Sequence, residues 1–257
     1  MKGRLAHEGR LAWTALTLLT RLPAPRLDGF HEEWLALSTP YFPLVGLIVG
    51  LFAAAASAAA SFLWPAPVPS LGAVAVAAWV TGGLHEDGWA DVFDGFAASR
   101  QRERILAVMK DSRIGSSGAL ALILLLVAKL AALAALPPAA IPAALVAAHT
   151  LSRWSSLPLL RGLVHARPEG GMAQPLVGHI TGWRLAAGTV LALLIAAASL
   201  RWLAIPAVAG AAAVTFAARL FFRKRLGGVT GDCLGATNQL VELTVLLALA
   251  ARWPSFK

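Results

Sequence analysis

Residues 82–118, GGLHEDGWADVFDGFAASRQRERILAVMKDSRIGSSG, set six of the chain's 13 carboxylates between two apolar runs. They are Glu86, Asp87, Asp91, Asp94, Glu103 and Asp111. Asp87, Asp91 and Asp94 stand at i, i+4 and i+7, so a helix carries all three on one face. Like charges stacked this way repel unless something positive lies among them. An all-oxygen donor set suits Mg²⁺, Mn²⁺ or Ca²⁺ rather than a softer metal. A solvated acidic face is the plainer alternative. It fits less well here, because the face follows an apolar run and contains Gly88 and Gly95, which cost helix stability.

The apolar surroundings decide the fold class. Of 257 residues, 58% are hydrophobic and only 14% charged, and the mean hydropathy is +0.70. Such a chain is a polytopic membrane protein. The expected fold is an all-α bundle of about 6–7 transmembrane helices, with an amphipathic or partly inserted N-terminal helix over 8–22. Seven apolar runs are candidates: 41–63, 71–84, 116–136, 139–160, 184–200, 202–222 and 233–251. Several fall short of the roughly 20 residues that a perpendicular span needs. The 71–84 run is then completed by the acidic helix, which sets Asp87 near the interface.

A net charge of +9 resembles a nucleic-acid signal, but topology accounts for it better. Lys and Arg cluster in the first 26 residues and in 100–113, 161–184 and 219–225, all on one side if each run crosses once. The opposite loops 64–70 and 137–142 carry no charge, leaving Arg201, Arg252 and Lys257 on that side. This positive-inside pattern puts the charged loops and the acidic stretch in the cytoplasm. The lone Cys233 excludes an intramolecular disulfide framework and a Cys-based zinc site.

Other segments supply candidate partners. LDGFHEEW, with Asp28, His31, Glu32 and Glu33, reads as a solvated loop with some potential as a second ligand source. Gly46 and Gly50 form a small-xxx-small pair for close helix packing. After the acidic face, Lys110, Asp111, Ser112 and Arg113 lead through Gly115 into an apolar helix that Ser116 or Ser117 can cap. A Gly/Ser turn with basic flanks at a helix start suits phosphate. Lys129 and Glu242 fall deep within apolar runs, where each needs a partner, and they are expected to pair. Arg153 either reaches a phosphate or snorkels. The Gly/Pro-rich loop 161–183 is long enough to be functional, but no residue in it is assigned. In GGVTGD, Thr230 supplies a hydroxyl, and Asp232 is either a helix cap or a metal ligand brought to the acidic face.

Carboxylates, basic groups and Gly-rich turns at one mouth of a helical bundle point to phosphoryl or phosphoester transfer on an amphiphilic substrate. A hydroxyl nucleophile needs a base, for which His85 and a metal-free carboxylate are candidates. GGLHEDGWADVFDGF, MKDSRIGSSGALAL and GGVTGDCLGA together resemble the cobalamin synthase (adenosylcobinamide-GDP ribazoletransferase) family. LTRLPAP, YFPLVGLIVG and Ser152-Arg153 match it in order, so the resemblance covers essentially the whole chain.

The resemblance implies an integral-membrane transferase of a prokaryotic cytoplasmic membrane, working on the cytoplasmic face. It would join α-ribazole, or its 5′-phosphate, to adenosylcobinamide-GDP with Mg²⁺ and release GMP. Asp87, Asp91, Asp94 and Asp232 would hold metal. His85, matching the motif histidine, would lead as base. Lys110, Asp111, Ser112, Arg113, Arg153 and Thr230 would contact substrate phosphate. The chain departs from the family pattern at Glu86, usually apolar, at Cys233, usually Thr, and at Gln239, often acidic. A CDP-alcohol phosphatidyltransferase is a rival, but its longer motif spacing is missing. A cation transporter is another, but its sites lie near the midplane of repeated halves. Residues 1–257 read as one membrane-embedded domain. Its Gly- and Ala-rich spans permit self-association without requiring it, and no nucleic acid is expected.

Overall fold

The computed structural model describes residues 2–23 and 29–251, with side chains from Leu5 onward. Asp28, Arg252 and Lys257 lie outside the described residues. Eleven α-helices follow one another among the described residues: α1 (Lys2–Leu19), α2 (Glu33–Leu37), α3 (Phe42–Ser61), α4 (Val68–Thr81), α5 (Leu84–Ala98), α6 (Arg102–Val108), α7 (Ser116–Ala134), α8 (Ile141–Gly162), α9 (Gly182–Leu200), α10 (Ala204–Leu226) and α11 (Gly231–Ala250). No strand forms among them beyond one isolated bridge, His165 with Val229.

Among the described residues four stretches are long and apolar enough to cross a membrane: 39–61, 116–134, 182–226 and 231–250. The bent pair α4–α5 makes a fifth if it counts as one span. The 45-residue stretch 182–226 holds two helices, α9 and α10, which break at Arg201. The sequence suggested seven runs, and α8 is the instructive difference. Its middle carries His149, Thr150, Ser152, Arg153, Ser155 and Ser156, all buried. These residues dilute its hydropathy, yet α8 packs against α3, α9, α10 and α11 as the bundle's inner post. The outer helices show the opposite pattern. Leu120, Ile123, Leu124 and Val127 of α7 and Val190, Leu194, Ile205 and Phe216 of α9 and α10 are exposed, as a lipid-facing surface requires.

Glycine sets how closely the helices approach. The Gly46–Gly50 pair lies on the α3–α8 crossing, where a Cβ on Gly46 would stand 2.3 Å from the His149 carbonyl oxygen. One on Gly50 would stand 2.7 Å from Val146 Cα. Backbone cannot yield as a flexible side chain can. Gly46→Val is therefore expected to cost about 3 kcal/mol or more, at the upper end of overpacking penalties. A melting curve in detergent checks this, and an unchanged midpoint would contradict the close crossing.

Gly82 and Gly83, with φ of 68° and 73°, turn the chain 90° between α4 and α5. Two successive left-handed residues are cheap only for glycine. The turn is braced from the end of α1, where Arg21, two residues past the helix, donates its backbone N–H to the Val80 carbonyl at 2.8 Å. Gly88 and Gly95 do not interrupt α5 as their helix propensity suggested. Each faces a neighbour too close for a side chain, Gly88 against Asp232 and Gly95 against Met109 and Ile105, and tertiary packing outweighs the propensity cost.

Candidate active site

Two ends of the bundle can be told apart. At one, Leu136, Pro137, Ser199, Trp202, Leu203 and Leu249 line a cavity that has no charged side chain in its wall among the described residues. At the other, α5, α11 and the 161–183 loop meet around a cavity of about 210 Å³. Its wall includes His85, Asp87, Ser156, His165, Arg167, Asp232 and Asn238.

The crossing of α5 over α11 builds this site. A Cβ on Gly88 would lie 2.9 Å from Asp232 Cα, and one on Gly235 would lie 3.3 Å from His85 Cα. With side chains absent at both points, the first turns of α5 and α11 come almost backbone to backbone. Asp87 and Asp91 thereby stand across from Asp232, about 140 residues later in the chain. The charges of Asp87, Asp232 and Asp94 all bear unfavourably on Asp91, and Arg167 alone opposes them. His85 is buried, and its Nδ1 has no hydrogen-bond partner.

Asp94, expected beside Asp87 and Asp91 as a ligand, is occupied differently. Its Oδ2 accepts the Gly115 N–H and its Oδ1 the Gly118 N–H, each at 2.7 Å. It caps the first turn of α7 from outside that helix, the role expected of Ser116 or Ser117. Asp232 accepts from Arg167 Nη2 at 2.9 Å and from the Thr230 hydroxyl at 3.1 Å. Thr230 also caps α11, accepting the Cys233 N–H at 3.3 Å. Asp87, Asp91 and Asp232 match a hard cation in donor chemistry, and their mutual repulsion is what such a cation relieves. They are not yet gathered around one point. Among the described residues, no group of three or more His, Cys, Asp or Glu side chains is arranged to hold a metal ion.

The basic candidates scatter. Arg113 pairs with Asp111 at 2.6 Å on the exposed turn before α7, and this pairing holds the Asp111 carboxyl down at about 2. Lys110 reaches Glu169 of the 161–183 loop at 3.8 Å. Ser112 lies on the same exposed turn. Arg153 is not at the cavity surface. It is 2% exposed and turned inward to Glu242 at 3.4 Å and His149 at 3.1 Å. Lys129 meets Glu242 at 2.6 Å, the pair the sequence led one to expect.

Sequence reasoning left the 161–183 loop unassigned, yet it supplies His165 and Arg167 to the cavity wall. Ser156 and Asn238, also missed, join through a 2.9 Å hydrogen bond between α8 and α11. Only the loop's length and its Gly/Pro content hinted at a role.

The family model described as cobalamin-5-phosphate synthase matches residues 11–250. The chain belongs to the cobalamin-5-phosphate synthase family. Among curated members of this family, the adenosylcobinamide-GDP ribazoletransferase of Leptothrix cholodnii is 42% identical, over 97% of this chain and 98% of that protein. That of Ralstonia nicotianae is 40% identical over 99% and 100%, and that of Escherichia coli K12 is 37% identical over 93% and 99%. No solved structure matches.

Proposed function

We infer that this chain is an adenosylcobinamide-GDP ribazoletransferase, working as one membrane-embedded domain over residues 1–257 with its acidic stretch at 82–118. It joins α-ribazole, or its 5′-phosphate, to adenosylcobinamide-GDP. The products are adenosylcobalamin, or its 5′-phosphate, and GMP. The observation that carries this reading is the convergence of Asp87 and Asp91 with Asp232 across the Gly88–Gly235 crossing, with Asp87 and Asp232 on the wall of a cavity.

A ribose hydroxyl of the ribazole, one that the 5′-phosphate leaves free, attacks the phosphorus bonded to cobinamide. A new P–O bond forms, and the bond from that phosphorus to the bridging oxygen breaks, so GMP departs with the bridging electrons. His85, whose Nδ1 is free and whose side chain lines the cavity, takes the hydroxyl proton. Asp87, Asp91 and Asp232 would hold Mg²⁺, which when bound supplies positive charge against the diphosphate oxygens. Asp94 fixes the acidic helix to the start of α7, and so holds Asp91 in place. The basic loops favour a cytoplasmic-facing site in a prokaryotic inner membrane, where both substrates are met.

The test is chromatographic. Detergent-purified protein given adenosylcobinamide-GDP, α-ribazole and Mg²⁺ is expected to release GMP and cobamide in equal amounts, and neither without the divalent cation. A native chain that releases no GMP would sink the transferase reading.

A further inference from the structure

We propose that Arg167 and His165 form the phosphate subsite of this cavity, with Arg167 exchanging Asp232 for the diphosphate oxygens of the bound substrate. The proposal rests on the transferase reading and adds to it the residues that grip the reacting group.

The first ground is how the loop is held. Ala166 donates its N–H to the Val229 carbonyl at 2.9 Å, and Val229 donates to the Val164 carbonyl at 2.9 Å. A side chain on Gly228 would strike the Val164 oxygen at 2.3 Å, so glycine permits this seam. Arg102 closes it from a third direction, giving Nε to the Leu226 carbonyl at 2.7 Å and Nη2 to the Ala166 carbonyl at 2.6 Å. The backbone on either side of His165 and Arg167 is therefore pinned to the turn that begins α11. Structural work at this joint is done by Arg102 and by the main chain. It leaves the Arg167 side chain with a single hydrogen-bonded partner, Asp232.

The second ground is a pair of unmet groups. Arg167 Nε and His165 Nε2 are both buried without a hydrogen-bond partner, and both residues line the cavity. A buried polar atom left unmet is costly, and two on one wall call for a ligand with several polar oxygens. His165 Nδ1 is taken up by the Arg167 main chain, 3.0 Å from its carbonyl oxygen and 3.3 Å from its N–H, so Nε2 is the ring nitrogen left for a ligand. A planar guanidinium beside it matches phosphate in a two-pronged fashion that lysine cannot reproduce.

The third ground is exclusion. Arg153 is committed to Glu242 and His149 behind the cavity, and Arg113 to Asp111 out on the exposed turn. Among the described residues Arg167 is the one arginine or lysine lining the cavity, and its present acceptor is one of the three carboxylates fit for a cation. One guanidinium cannot serve both acceptors fully. When a cation takes up the Asp232 carboxylate, Arg167 is released toward the phosphate that the same cation brings.

GDP serves as the probe of diphosphate binding, titrated by calorimetry with Mg²⁺ into native protein, Arg167→Ala, Arg167→Lys and His165→Ala. Mn²⁺ alone, followed by its paramagnetic resonance, reads the carboxylates. Arg167→Ala is expected to weaken GDP about 10- to 100-fold, and Arg167→Lys to fall between it and native. Mn²⁺ should bind Arg167→Ala as tightly as native or more tightly, because Asp232 is uncovered. A structural ion pair would behave otherwise. The melting midpoint would fall, and GDP and Mn²⁺ would weaken together, which would overturn the proposal. Undiminished GDP binding in Arg167→Ala, in a native protein that does release GMP, would overturn the subsite while leaving the transferase reading intact.

Discussion

Asp87→Asn is expected to lower cobamide and GMP formation at least 10²–10³-fold, the loss typical when one preorganised electrostatic contact to the reacting group is removed. The protein should meanwhile melt no lower than native. Asp87 is exposed on the cavity wall in the first turn of α5, and its backbone N–H is already bonded to the Gly83 carbonyl at 2.8 Å. Asparagine fills the same space without disturbing that helix. Asp87 also weighs on Asp91, so removing its charge relieves that repulsion. Loss of activity with retained or raised stability is the signature of a group placed for chemistry rather than folding. Mg²⁺-dependent thermal stabilisation supplies a second readout and should vanish in the variant. Turnover within a few fold of native would remove Asp87 from the site. A lowered midpoint would show that Asp87 contributes to the fold instead.

The acidic helix was legible because its signal is local. Spacing alone put Asp87 and Asp91 on one face, and the GGVTGD turn placed Asp232 at a helix start. Their meeting is long-range, and it depends on Gly88 and Gly235 lying opposite each other, which no single segment reveals. Asp94 shows the limit of reading a face by periodicity. It has the right phase for a ligand, but the nearest unmet donors are the N–H groups of α7, and an N-terminal turn draws in a carboxylate as readily as a cation does. Arg153 shows the same limit for a basic residue. The sequence leaves it either to reach a phosphate or to snorkel, and its guanidinium turns inward to Glu242 at 3.4 Å. Arg167 was hidden because a loop has no period, and only the seam with Val229 fixes where its side chain points. The two departures at Glu86 and Gln239 also find an explanation in contact. Gln239 Nε2 donates to Glu86 Oε1 at 3.1 Å, so the unusual carboxylate is tied to α11 beneath the site.

That tie continues inward, and it makes Glu242→Gln the substitution with the largest expected effect on stability. Glu242 is 4% exposed and meets Lys129 of α7 at 2.6 Å, His149 of α8 at 3.3 Å and Arg153 of α8 at 3.4 Å. One carboxylate thus answers cationic and imidazole groups on two other helices, and Lys129 also donates to Gln239. Removing its charge strands Lys129 and Arg153 together, both 2% exposed or less, and breaking a buried pair in this way costs about 3–5 kcal/mol. Lys129→Met removes one cation but leaves Glu242 with Arg153 and His149. Its cost should stay nearer the roughly 1–3 kcal/mol of a lost charged hydrogen bond. The order of the two melting midpoints in detergent is the measurement, with Glu242→Gln well below Lys129→Met. The reverse order would mean that Lys129, not Glu242, is the hub. Because the network joins α11 to α7, α8 and, through Gln239, α5, loosening it should also shift Asp232 relative to Asp87. Glu242→Gln protein that survives purification should therefore lose turnover as well, although Glu242 is not among the residues lining the cavity.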